Sequence, residues 1–259
     1  MTDGKDLSDL VGILATARLE NRQIHTLDNA LLPDSTQHGY DIAEDVTREL
    51  GWTPLGWKVA GTTQQVREKL KIDSPIYGRS FRRFRVESPV ELDANGLLDP
   101  LIECEFFVTL ARDLAPRDDS WRYEDILDAV HEVHAGIEVA ECRLRDPQSF
   151  GLPAILADGA ASGRYVYGGL LPAWRDTRRD MPVTLEVDGV LKRSGSGRDV
   201  MDDPIAPLHW LAETLRARGM GLKAGEMIST GSCTGMYPAR AGQHVVARFG
   251  TAASVEIRF

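Results

Sequence analysis

The sequence has few cysteines, no long apolar run and no surplus of positive charge. Among its 259 residues only Cys104, Cys142 and Cys233 carry thiols. None belongs to a C-x-x-C pair, and an odd count argues against a disulfide framework. No run of 18 apolar residues occurs, and the start shows no signal-peptide pattern. These absences predict a reducing, cytoplasmic setting. The formal net charge of -9 disfavours nucleic acid or an anionic membrane as a general partner. It leaves a small anionic substrate open, because the field of a site is local. There is no G-x-G-x-x-G after a strand, no G-x-x-x-x-G-K and no G-x-S-x-G.

What is present suits a globular enzyme. The chain is 42% hydrophobic, enough for one large core or a core plus a small domain. The stretch Leu101–Leu110 is apolar and rich in aromatic and β-branched residues, so it reads as a buried strand. It also carries Glu103 and Glu105, which strand alternation turns to one face. Two buried like charges need compensation. A hard cation such as Mg²⁺ or Mn²⁺ would supply it. A sheet edge with two solvated glutamates is the plainer alternative.

Ala135–Cys142 reads as a second strand, with Ile137 and Val139 pointing one way and Glu138 the other. Glu138 can then stand over the same cavity as Glu103 and Glu105. Three glutamates from two strands suit Mg²⁺ or Mn²⁺, and no Cys/His cluster competes for zinc. Lys58 lies in the short strand of Gly56–Thr63, among Trp57, Val59 and Ala60, where a lysine must snorkel, pair or lower its pKa. The loop Gly231-Ser232-Cys233-Thr234-Gly235 is rich in hydroxyls, and Ser232 or Thr234 could hold a carboxylate there, or the loop is an ordinary turn. Arg79, Arg82, Arg83 and Arg85 alternate with aromatics; anion binding or a subunit contact fits this better than nucleic acid.

Helical spacing marks residues 6–22, then Tyr40 to about Gly51, Gln64–Lys71, and Pro207–Arg218. The clearest helical pattern is Asp118–Ala135, which puts His131 and His134 on a helix. Pro182–Leu191 reads as a strand with a hairpin turn at Asp188-Gly189, and Lys192–Val200 as a loop. Gly242–Phe249 and Ala253–Phe259 close the fold as a β-pair. The density of strands predicts a curled or barrel-like mixed sheet, an α+β fold with a helical N-terminal part.

Several segments together resemble the 2-oxopent-4-enoate hydratase and 4-oxalocrotonate decarboxylase family of the fumarylacetoacetate hydrolase superfamily. They are Gly56-Trp57-Lys58-Val59-Ala60-Gly61-Thr62, Ile102-Glu103-Cys104-Glu105-Phe106, Gly136-Ile137-Glu138-Val139, Ala157–Ser162, and Leu222–Glu226 with Gly231–Thr234. The resemblance spans roughly residues 40–259. It implies a helical region over 1–55 and a metal-binding catalytic β-rich domain over 56–259. It also implies homo-oligomers, with a complex with a pathway neighbour as a further option. Mg²⁺ or Mn²⁺ would be held at Glu103, Glu105 and Glu138. Lys58 matches the active-site lysine, Asp158 and Ser162 fall in a substrate-binding segment, and Ser232 lies where the substrate carboxylate is held.

The resemblance implies a hydratase that adds water to a 2-hydroxy-2,4-dienoate, giving a 4-hydroxy-2-oxo acid. A 4-oxalocrotonate-type decarboxylase is the alternative. A non-catalytic subunit supporting an active homologue is the third reading. The chain departs from the family at Gly159 (usually Asn), Ala161 (usually Ser), Ile76 (usually Asp) and Arg83 (commonly acidic). Ser194–Asp202 also lacks the usual small-residue pattern. An arginine replacing an acid near the mouth would favour a more anionic substrate or a different acyl tail. No His-Glu pair typical of the hydrolases is found near the N-terminus.

Overall fold

The computed structural model describes residues 7–259, except for the side chains of Lys69 and Leu70. Asp6, with which the first expected helix begins, lies outside them, as do the first residues of the expected region 1–55. Two helices come first, α1 (Ser8–Leu19) and α2 (Thr36–Leu50). Ser35 caps α2 through the His38 amide, and Gly51 ends it in a left-handed conformation. Next are β1 (Pro54–Ala60), α3 (Gln64–Leu70), β2 (Ile76–Phe81), β3 (Arg85–Glu87), β4 (Val90–Glu91) and β5 (Leu101–Leu110). The middle of the chain supplies α4 (Tyr123–Ala129), β6 (Val130–Ala140), α5 (Pro147–Phe150), α6 (Leu152–Ala157), β7 (Arg164–Leu170) and α7 (Trp174–Thr177). Last come β8 (Pro182–Val187), β9 (Val190–Ser196), α8 (Ala206–Ala217), β10 (Met227–Ser229), β11 (Tyr237–Pro238), β12 (His244–Phe249) and β13 (Ala253–Arg258).

The strands form two sheets. The larger runs β2-β1-β10-β5-β6-β7-β3, with β11 beside β5; the smaller runs β4-β13-β12-β8-β9. The larger sheet is mixed, because β1 and β10 are parallel whereas β10, β5, β6 and β7 are antiparallel. The architecture is the expected α+β one, a mixed, curled sheet with helices at the N-terminal end. Alternation along β5 explains how the sheets meet. Ile102, Cys104, Phe106 and Val108 join Val183, Leu185, Val245 and Ala247 in one apolar core, where Phe106 meets Phe249 edge-on at 5.3 Å. Glu103, Glu105 and Phe107 therefore turn to the opposite face. Helices α1 and α2 share a second core with Phe81, Leu144, Ala154 and Ala157.

Two expectations fail locally. The helix expected over Asp118–Ala135 exists only as α4, and from Val130 the chain is strand β6. The apolar residues there fit both periods, and pairing decides: Val133 lies opposite Val108, and Val130 opposite Leu110. His131 and His134 thus sit on a strand. The loop expected over Lys192–Val200 is largely edge strand β9, which continues the hairpin. Its Asp188-Gly189 turn has positive φ at both residues, as a tight hairpin requires.

Candidate active site

The site is built on one face of the larger sheet. Register aligns Tyr165, Glu138 and Glu103 across β7, β6 and β5, with Glu138 opposite both of the others. Glu105, two residues along β5, faces Gly136. Lys58 on β1 stands opposite Ser229 of β10 and Gly78 of β2. Gly78 is required by close approach: a Cβ there would lie 2.1 Å from the Gly159 carbonyl oxygen, so the 158–162 turn closes over this face.

Glu103, Glu105 and Glu138 each offer an oxygen within 4.8 Å of the others, and all three are buried. Lys58 Nζ pairs with Glu138 Oε1 at 3.4 Å. The Ser229 hydroxyl donates to Glu105 Oε2, as does the Gly231 amide at 2.9 Å. Compensation is incomplete, with one ammonium against three carboxylates. Burial pushes all three acids upward: Glu105 well above the usual range, Glu103 above it, and Glu138 to about 7. Burial also pulls on Lys58, but attraction from Glu138, Glu103 and Glu105 outweighs it, and its pKa lies above the ordinary value. Of the outcomes open to a lysine in apolar surroundings, Lys58 pairs.

The residues fit a hard divalent cation. Glu138 Oε2 is buried and has no hydrogen-bond partner. Such an atom is costly unless something electropositive meets it. The donors are all carboxylate oxygens, the set that Mg²⁺ or Mn²⁺ takes. His131 and His134 stay apart from the cluster: His131 is exposed, and His134 Nδ1 meets the Gly168 carbonyl at 3.1 Å.

The other expected residues are placed differently. Asp158 is fully buried, and its carboxylate meets the Arg143 amide and guanidinium at 2.8–3.1 Å and Arg18 at 3.5 Å. Arg18 also donates to the Asp158 carbonyl. Burial, with repulsion from Arg143, brings Arg18 down to about 10. Arg18 accounts for Gly159, because its Nη2 stands 2.9 Å from where a Cβ would be. Ser162 reaches the cluster indirectly: its Oγ meets the Tyr165 hydroxyl at 2.8 Å, which donates to Glu138 Oε1 at 3.4 Å. The Ser232 hydroxyl donates to the Gly235 carbonyl within its own loop. Thr234 lies beside the Cys104 thiol, on the far side of β5 from the glutamates. From this loop it is the Gly231 amide that touches the cluster.

Two further departures, Ile76 and Arg83, have local partners. Ile76 packs with Leu156 and Ala160. Arg83 stacks on Trp52 at 4.2 Å, so its guanidinium is engaged on an outer aromatic. Arg79 stacks on Trp57 at 3.5 Å and pairs with Glu44 and Glu226. Sequence reasoning missed Tyr165, Ser229, Arg18 and Arg143. Only register or long-range contact brings these to the site, and no local motif marks them.

Comparison with known proteins shows the family. The model of the fumarylacetoacetate (FAA) hydrolase C-terminal family matches residues 62–259. A 4-oxalocrotonate decarboxylase from Pseudomonas sp. (strain CF600) is 30% identical over 88% of this chain and 87% of its own. A 2-keto-4-pentenoate hydratase from Burkholderia vietnamiensis is 26% identical over 100% and 99%. The solved structure of 4-oxalocrotonate decarboxylase from Pseudomonas putida G7, complexed with magnesium and adipate, superposes with a TM-score of 0.89. It is 25% identical and covers 98% of this chain and 97% of that one. The chain belongs to the fumarylacetoacetate hydrolase family, in the branch of the 4-oxalocrotonate decarboxylases and 2-keto-4-pentenoate hydratases.

Proposed function

We propose that the protein is a metal-dependent lyase that decarboxylates a 4-oxalocrotonate-type 2-oxo dicarboxylic acid. The supporting observation is a buried three-glutamate cluster with an unpartnered oxygen, in a chain that superposes on a magnesium-bound 4-oxalocrotonate decarboxylase over nearly its whole length. Glu103, Glu105 and Glu138 would hold Mg²⁺ or Mn²⁺. A cation bound there supplies Lewis-acid polarisation of the 2-oxo acid head.

Lys58 is the catalytic residue in this reading. In such a substrate the distal carboxylate is vinylogous to the 2-oxo group. Loss of CO₂ breaks the bond to that carboxylate and delivers its electron pair to the 2-oxygen. The Lys58 ammonium, paired with Glu138, stabilises the charge growing on that oxygen and donates a proton to it. Burial of the cluster strengthens both effects by excluding water. Asp158 acts as a structural anchor, Ser162 acts through Tyr165, and the Ser232–Thr234 loop contributes its backbone.

Hydration is the second reading, favoured by hydratase relatives over the full chain. Both reactions place negative charge on the 2-oxygen, so one lysine serves either. Incubation with 4-oxalocrotonate and Mg²⁺ separates them. Release of CO₂ is expected. Water addition at C4 of a 2-hydroxy-2,4-dienoate without CO₂ release from the dicarboxylate would replace the first reading with the second.

A further inference from the structure

Tyr165 is fully buried on β7, and its ring packs edge-on against Phe107 at 5.9 Å. Its hydroxyl lies between Ser162 Oγ at 2.8 Å and Glu138 Oε1 at 3.4 Å. A phenol has one proton to give. Ionised Glu138 can only accept, so the phenol donates to Glu138 and takes its own hydrogen bond from Ser162. With Glu138 ionised, as a cation ligand is, the bonds run from Ser162 to Tyr165 to Glu138. Lys58 Nζ pairs with the same carboxylate oxygen at 3.4 Å. Both donors therefore occupy Oε1, and Oε2 is left buried and unpartnered.

The start of this chain of bonds is itself held. Arg143 donates to the Ser162 carbonyl at 3.1 Å while its guanidinium grips Asp158. Between them Gly159, Ala160 and Ala161 all take positive φ, a backbone conformation that alanine adopts only under constraint. The turn brings Ser162 to the phenol, and the ion pair behind it keeps the turn in shape.

We infer that Tyr165 is a positioning residue for Glu138: held by Ser162, it fixes Oε1 and so presents Oε2 to a divalent cation. The inference rests on the proposed cation at Glu103, Glu105 and Glu138. It requires the hydroxyl, whereas a purely structural role requires only the ring. Partners that orient a ligating carboxylate set its affinity for metal as well as its angle.

The test is Mn²⁺ titration of the full-length protein by calorimetry and by electron paramagnetic resonance, with thermal melts in chelator. Tyr165→Phe is expected to melt near the parent and to bind Mn²⁺ roughly 10- to 100-fold more weakly. Ser162→Ala should weaken binding less. The double variant should be no weaker than Tyr165→Phe alone, because one chain of bonds is being cut twice. Tyr167→Phe, on the same strand, should bind as the parent does. Parental affinity in Tyr165→Phe overturns the inference, as do single losses that add. If Tyr165→Phe does not fold, Ser162→Ala decides, and parental affinity there is equally fatal. Glu138→Gln separates the two levels of the argument. If it binds Mn²⁺ like the parent, the metal reading itself fails. If it loses Mn²⁺ while Tyr165→Phe does not, only the positioning role fails.

Discussion

Two buried acidic sites, one at Asp158 and one at Glu103, Glu105 and Glu138, are compensated in opposite ways. Asp158 has two guanidinium groups and a backbone amide for one carboxylate. Glu103, Glu105 and Glu138 have one ammonium among three. Full compensation makes the first cluster a bolt: it joins α1, the segment after β6 and the turn. Incomplete compensation suits the second to a cation, because buried carboxylates lacking counter-charge are high in energy. A buried acid is thus no guide to function by itself. What distinguishes the reactive cluster is the counter-charge it lacks.

The largest expected effect falls on the incomplete cluster. Lys58→Met should lower turnover by about 10²- to 10⁴-fold while Mn²⁺ still binds; near-normal turnover would remove Lys58 from the mechanism. The matching experiment on the complete cluster is Arg143→Met. It should cost about 1.5–3 kcal/mol in urea unfolding by removing the charged hydrogen bonds to Asp158 and leaving Arg18 as its guanidinium partner. A loss below about 1 kcal/mol, the scale of an exposed ion pair, would mean that the bolt is ornamental.

Acid-to-amide changes sharpen the contrast through their sign. Asp158→Asn should destabilise the protein by about 1–3 kcal/mol. Glu105→Gln should raise the melting temperature of the metal-free protein at pH 8, because it removes a repelled charge, and should weaken Mn²⁺ binding. Melts that shift in the same direction would erase the distinction between the clusters.

Acidity offers a further check. Glu138 is raised to about 7 from an ordinary 4.5, chiefly by burial. Raised acids favour the folded state while protonated. Its contribution is full below about pH 4.5 and is lost as pH climbs through about 7. Metal competes with protons on the same three carboxylates, all raised by burial, so Mn²⁺ affinity should rise as pH climbs from about 5.5 through 7. An affinity flat across this range would contradict the burial argument. The smallest effect is expected at Arg83, which stacks on Trp52. Arg83→Ala should cost about 0.5–1 kcal/mol and leave KM unchanged. An altered KM for a dicarboxylate would return Arg83 to the mouth of the site.

Much of this was legible before any coordinates, for identifiable reasons. Glu103 and Glu105 share a face because strand side chains alternate, and that follows from position alone. The hairpin at Asp188-Gly189 was readable because few residues tolerate its backbone. The helix expected through Ala135 failed because Val130 and Val133 satisfy a helical and an extended pattern alike, and only β5 chooses between them. Asp158 was expected at the substrate because its segment resembles a binding motif. Its carboxylate is instead taken by Arg143 and Arg18, residues 15 and 140 positions away in sequence.

The sequence alone determined the local facts at β5: that Leu101–Leu110 is a strand, that Glu103 and Glu105 share one face, and the chemical type of the donors. These depend on neighbours one to four residues apart. Tertiary structure decided which acids meet, which cation each receives and which oxygen stays free. Glu138 stands opposite Glu103 through strand register, Tyr165 opposite Glu138 through the next register, and Arg18 reaches Asp158 across the fold. Electrostatic compensation is a property of space rather than of sequence, and it separates the fully paired Asp158 from the three glutamates that share one ammonium.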